Sequence, residues 1–251
     1  MTTLLSVDWN FFADVSGEND PKRFGFYDWG FDENQSDELQ HFLWSDRASG
    51  FLWSGRPMPD TSGEEQSFWS RFRFSEDCSL FIAENHVLAA RTEVCSGVDR
   101  IISYDARYDA SDYAFDCAVR SATARGYVTT ENWLLQYEID GAQIEVICPR
   151  WRSYLLGAEP QPPTHMSWCV DDGEPVDEVI DRVFVCHSGV WTPPWLDEKW
   201  AQFVESCPVA SPKVVGDLTM VRDWDWDIAQ MIAKSHKEMN TRIRSAQERG
   251  E

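Results

Sequence analysis

Basic residues are scarce in this chain of 251 residues: 22 Lys and Arg stand against 43 Asp and Glu, a formal net charge of -21. Such a surface repels phosphate backbones and anionic lipid headgroups, so neither a nucleic acid nor a membrane is an expected direct partner. Long apolar runs are lacking as well, and none approaches the ~18 residues of a membrane span. No basic segment leading into an apolar core and cleavage site opens the chain, and the expectation is a soluble, cytoplasmic protein. The seven cysteines are odd in number and never form Cys-x-x-Cys, which fits buried reduced thiols better than a disulfide framework or a zinc knuckle. A Gly-x-Ser-x-Gly elbow is absent too, which leaves a Ser/His/Asp hydrolase without its usual strand-to-helix turn. The same acidity would suit a mimic of DNA, but that role needs spaced surface rows of acids, and here the acids are mixed with aromatics.

What the chain does have is short apolar runs alternating with helical patterns. Strands are expected at Leu4-Leu5-Ser6-Val7, Ser79-Leu80-Phe81-Ile82-Ala83, Ile101-Ile102-Ser103-Tyr104, 143–148 and 182–186. Helices are expected at 87–91 with Asn85 as N-cap, near 113–124, around Trp133-Leu134-Leu135, from about 196, and over about 225–247, where Asp223, Asp225 and Asp227 favour a helix start. Residues 13–75 read as a long aromatic-rich crossover with short helices, and 155–175, with Gly157, Pro160, Pro162, Pro163, Gly173 and Pro175, as a surface loop. The alternation predicts one α/β domain over 1–251, a three-layer sandwich with a mostly parallel sheet, ending in the helical segment 225–251.

Chemistry should gather at the carboxyl ends of the strands. Asp8 ends the first run, and Asp105 and Asp109 follow the run at 101–104. Three acids at one sheet edge repel each other unless a cation sits between them. His86 falls at another strand-to-helix turn, and His187 follows the last clear strand, where it is a candidate for proton transfer. Cys186 has no electropositive partner legible in the sequence and is expected to be inert core.

The elements Ser6-Val7-Asp8-Trp9-Asn10, Asp105-Ala106-Arg107-Tyr108-Asp109 and Ser188-Gly189-Val190-Trp191-Thr192-Pro193-Pro194-Trp195-Leu196-Asp197, together with His86, resemble signatures of the arginase and deacetylase (ureohydrolase) superfamily. The likeness is to a bacterial and phage branch in which the Asp-x-Asp strand comes first. It implies an arginase-like fold and a set of metal ligands made of Asp8, His86, Asp105 and Asp109, serving metal-dependent hydrolysis of a C–N bond in a small polar substrate. Two departures stand out, because the family's middle histidine is Arg107 here and its last acid is Asn10. Arginine has no lone pair to offer, and a neutral amide oxygen is a poorer ligand than a carboxylate for a hard cation. The resemblance therefore implies one divalent ion, Mn²⁺ or Zn²⁺, with the Arg107 guanidinium compensating charge where a second ion would sit. The alternative it leaves open is a pseudoenzyme that keeps the fold and acts by binding a protein partner.

Overall fold

A computed structural model describes residues 1–14, 36–107, 109, 122–124, 126–130, 132–155 and 166–249. Seven strands form one sheet in which every neighbouring pair is parallel: β1 (Thr3–Asp8), β4 (Arg73–Ala83), β5 (Arg100–Tyr104), β6 (Gln143–Cys148), β7 (Met166–Val170), β8 (Val179–Cys186) and β9 (Lys213–Val214). Their spatial order is β7-β6-β5-β1-β8-β4-β9, while β2 (Ala13–Asp14) and β3 (Asp60–Thr61) make a separate antiparallel pair. The chain thus builds outward on one side of β1 through β5, β6 and β7, then returns to insert β8 between β1 and β4. A crevice opens where strand excursions diverge in this way, above the carboxyl ends of β1, β5 and β8.

Both faces of the sheet are covered, as the unbroken apolar character of the strands requires. Because side chains alternate, Leu4 faces a cluster with Phe184, Val146, Trp133 and Tyr137, whereas Leu5 and Val7 face Phe11, Phe12, Phe68, Trp200 and Phe203 on the other side. The first layer carries a 3-10 turn at His86–Ala90, the short helix α2 (Thr92–Cys95) and α3 (Leu134–Ile139). The second carries α4 (Asp197–Glu205), whose Trp200 is fully buried. The long helices α1 (Asp37–Ser54) and α5 (Trp226–Arg249) pack on each other.

Several expectations need correcting. The crossover at 13–75 holds the 18-residue helix α1, whose Ser36 side chain accepts from Leu39 N. The supposed loop at 155–175 includes the strand β7, hidden from the sequence by the Gly and Pro residues around it. The helix expected at 87–91 is instead the 3-10 turn, although Asn85 caps it as anticipated, with Oδ1 accepting from Val87 N at 2.8 Å. Of the helix expected near 113–124, residues 113–121 lie outside the described set. Six described cysteines are free, and Cys169 is exposed rather than buried.

Candidate metal centre

Strand parity decides what the crevice contains. Ser6 and Asp8 share a face with Leu4, so the last polar residues of β1 point toward the layer that carries His86 and Trp133. In the parallel register Asp8 lies opposite Cys186 of β8, while Ser6 lies opposite Ser103 of β5, two residues before Asp105. The sheet therefore brings Asp8, Asp105 and Cys186 to one edge on one face, and the turn after β4 drops His86 onto the same spot.

There His86 Nδ1 lies 3.0 Å from Asp8 Oδ2, 3.2 Å from Asp105 Oδ2 and 3.8 Å from Asp109 Oδ2. The ring is held on both sides: Trp133 stacks on one face at 4.3 Å and Phe184 lies parallel at 5.8 Å. Nε2 is 2.9 Å from Ser6 Oγ. The carboxylates are tied down by their second contacts. Asp8 Oδ1 accepts from Asn10 N and Oδ2 from Ser188 Oγ at 2.6 Å; Asp105 Oδ1 accepts from Arg107 N, and Asp109 Oδ2 from Trp133 Nε1 at 2.7 Å. Hence His86, Asp8, Asp105 and Asp109, expected from sequence to meet, do meet.

The electrostatics are severe. Burial and the neighbouring charge of Asp105 push the Asp8 carboxyl up, and the same two causes push Asp109 well above the usual carboxylate range. For His86, burial pulls down, but the carboxylates of Asp105 and Asp8 outweigh it and the imidazole is pushed up to about 10. A point of positive charge is therefore demanded where His86 Nδ1 faces the acids, either a proton or a metal ion. Geometry bears on the choice, because this buried Nδ1 forms no aligned hydrogen bond with any carboxylate. Atoms bound about 2.1 Å from one cation lie about 3.0–3.4 Å apart in octahedral or tetrahedral geometry, as Nδ1 does from Asp8 and Asp105, while Asp109 at 3.8 Å would have to move inward. The triads His86–Asp105–Asp109 and Asp8–His86–Cys186 are each compact enough to hold an ion.

Asn10 and Arg107 have structural roles of their own. Asn10 Oδ1 accepts from Ala106 N at 2.9 Å, cross-linking the loops that follow β1 and β5. The Arg107 guanidinium lies 3.6 Å above the Trp191 ring, and its charge holds Asp109 lower than burial alone would. Arg107, Thr130, Trp191, Asn10 and Asp109 line a narrow recess, with about 10 Å³ of free room, that leads to Asp8 and His86.

His187 faces the other way. One residue past Cys186, its ring stacks on Trp200 at 4.2 Å in the opposite layer, with Nδ1 2.9 Å from Glu84 Oε2 and Nε2 3.0 Å from Asp197 Oδ1. Burial pulls its pKa down, but Asp197 and Glu84 outweigh it, and Arg222 chelates the same Asp197 through Nε and Nη2 at 2.7 and 2.5 Å. His187 thus anchors the loop 187–197 from behind. Its neighbour Ser188 has φ of 51°, the left-handed region that non-glycine residues seldom adopt, and this bend aims Oγ at Asp8. Ser6, Cys186 and Ser188 are site residues that sequence reasoning missed; the parity of β1 and β8 was the signal that would have found them.

Gly189 shows how tightly that loop is set. A Cβ there would collide with Glu84 Oε1 and come within 3.0 Å of an Arg222 nitrogen. Gly189→Ala would push the end of the Glu84 side chain away from Gly189 N and His187 and is expected to cost about 1 kcal/mol, read as a lower melting temperature; an unchanged melt would show that Glu84 swings aside freely.

No family model, curated protein or solved structure matches this chain.

Proposed function

We propose that this protein is a metal-dependent hydrolase that acts on a C–N bond of a small polar substrate, with one divalent ion held by His86, Asp8, Asp105 and Asp109. The observation that carries this reading is the buried His86 Nδ1, surrounded by three carboxylate oxygens and aligned with none. Neutral His86 donating from Nε2 to Ser6 Oγ would leave the Nδ1 lone pair directed at a shared cation. The ligand set of imidazole and carboxylates suits Mn²⁺ or Zn²⁺, and such an ion supplies Lewis-acid polarisation of a carbonyl and activation of water. The arginase-like identity rests on the motif resemblance, and the seven-strand parallel sheet is compatible with it.

The residues divide the work. Ser188, Asn10 and the Arg107 backbone hold Asp8 and Asp105 in one orientation, so little reorganisation is required when the ion binds. Trp133 fixes both the His86 ring and Asp109. Arg107 and Trp191 form the mouth of the recess, where a guanidinium would orient an oxygen-bearing substrate and the indole would exclude water. The test is amine or ammonia release from a panel of small amides and amidines by protein loaded with Mn²⁺ or Zn²⁺. Turnover that vanishes in Asp105→Asn is the expected result; turnover equal in that variant, or none with any loaded metal, counts against hydrolysis.

A second reading, a catalytically silent relative that works by binding, is favoured by the structural use of Asn10 on Ala106 N. The double variant Arg107→His with Asn10→Asp separates the two readings. Under the hydrolase reading it should take up a second equivalent of metal by elemental analysis while remaining folded. One equivalent would mean that the second site is closed by its surroundings as well as by its ligands, and no metal in either the parent chain or the variant would favour the binding relative.

A further inference from the structure

A second and larger cavity among the described residues lies elsewhere. A groove of about 1370 Å³, open space included, runs between the start of α1 and the segment 217–224, and it shares no lining residue with the recess above His86. Its accessible aromatic wall is made of His41 and Trp224, whereas Trp44 is buried and has the Arg47 guanidinium 4.5 Å from the centre of its ring. The His41 and Trp224 rings lie 5.3 Å apart, and Trp224 is braced from behind by Trp195 at 5.5 Å and Trp226 at 5.4 Å. Five carboxylates stand around it: Asp37, Glu38, Glu84, Asp217 and Asp223. The single guanidinium in its lining, Arg222, is already neutralised by the bidentate contact with buried Asp197. Leu218 and Pro194 supply apolar surface between the acids.

We infer that this groove is a binding site for an organic cation, an alkylammonium or alkylguanidinium whose charged head lies over Trp224 and whose stem follows the apolar strip. Indole faces attract cations through the ring quadrupole, and a low-dielectric concave wall strengthens the pull of the surrounding carboxylates. Asp37 and Glu38 also complement the N-terminus of α1, but that role leaves the field of Asp217 and Asp223 unopposed. A neutral or anionic ligand of the same shape would meet the aromatic wall and lose the electrostatic attraction. The inference is independent of the metal reading, because no groove residue is a candidate ligand.

Calorimetric titration of the full chain with n-butylguanidinium and n-butylammonium, with 1-butanol and butyrate as neutral and anionic controls, tests it. Saturable binding of the cations alone is expected, weakened about tenfold in Trp224→Leu and again in the exposed-residue variant Asp217→Asn/Asp223→Asn. The affinity should fall as salt is raised and should be the same with a chelator or in Asp105→Asn. Equal binding of butanol or butyrate, no saturable heat with either cation, or binding indifferent to both variants would overturn the inference. Loss of binding on chelation would likewise overturn it, by moving the cation to the metal centre.

Discussion

Addition of Mn²⁺ or Zn²⁺ to chelator-stripped protein should raise its melting temperature, and the rise should grow with pH. At a hundred times its dissociation constant an ion that binds only the folded chain adds about 2.7 kcal/mol, or about 5–10 °C for a domain of this size. The pH dependence follows from the cluster. Without metal, His86 titrates at about 10 when folded against 6.5 as a free side chain, so its contribution to stability is complete below pH 6.5 and disappears as pH rises toward 10. Asp8 and Asp109, also raised, act in the same direction, their contribution declining as pH rises above the ordinary value of 3.8. The metal-free protein should therefore weaken toward alkaline pH. Metal displaces those protons, so the increment it confers should be larger at pH 9 than at pH 6. Scanning calorimetry with and without chelator at both pH values measures this, and Asp105→Asn and His86→Ala should each erase the increment. A shift that persists in both variants, or no shift at either pH, would remove the metal from the site.

The second large effect concerns the opposite face of the sheet. Asp197 is completely buried and accepts from His187, from Arg222 N and from the Arg222 guanidinium. Burial raises its pKa, yet Arg222 and His187 together hold it below the usual carboxylate value. Asp197→Ala leaves the Arg222 guanidinium without its carboxylate and His187 with Glu84 alone, a change expected to cost about 3–5 kcal/mol in urea titration. The pKa of His187 should then be raised less, by Glu84 alone, so the part of stability that it confers below pH 6.5 and that fades at higher pH should shrink in the variant. A cost below about 1 kcal/mol would mean that the network relaxes around the gap. Because the same network carries the loop that positions Ser188, weaker metal binding should accompany the loss.

Much of this arrangement was legible in the sequence because it follows from short-range rules. Apolar runs of four or five residues marked β1, β5, β6 and β8, and the position of an acid just beyond a strand placed Asp8 and Asp105 at the carboxyl edge. Asn85 announced its cap, and the acids at 223–227 announced α5, where Asp225 Oδ1 accepts from Asp227 N. Other features depended on tertiary context that no local pattern carries. The start of β4 at Arg73 involves a register shift between Phe74 and Ser79, and the interrupted pairing obscures the strand. Past buried Met166, β7 alternates exposed and half-buried residues at one end of the sheet, and its neighbouring Pro residues outweigh it in any sequence reading. His187 was misplaced for a related reason: proximity to a strand end says nothing about which face a side chain takes until the register with β1 is known.

That register carries an implication for how the chain reaches its native state. On β1, Leu5 and Val7 belong to the aromatic layer with Phe11, Trp200 and Phe203, while Ser6 and Asp8 belong to the opposite side. A slip of one residue against β5 and β8 would thrust a carboxylate and a hydroxyl into that greasy layer and withdraw two aliphatic groups from it. Misalignment is thus penalised twice, and the acid that gives the crevice its chemistry also acts as a proofreading mark for assembly of the central strands.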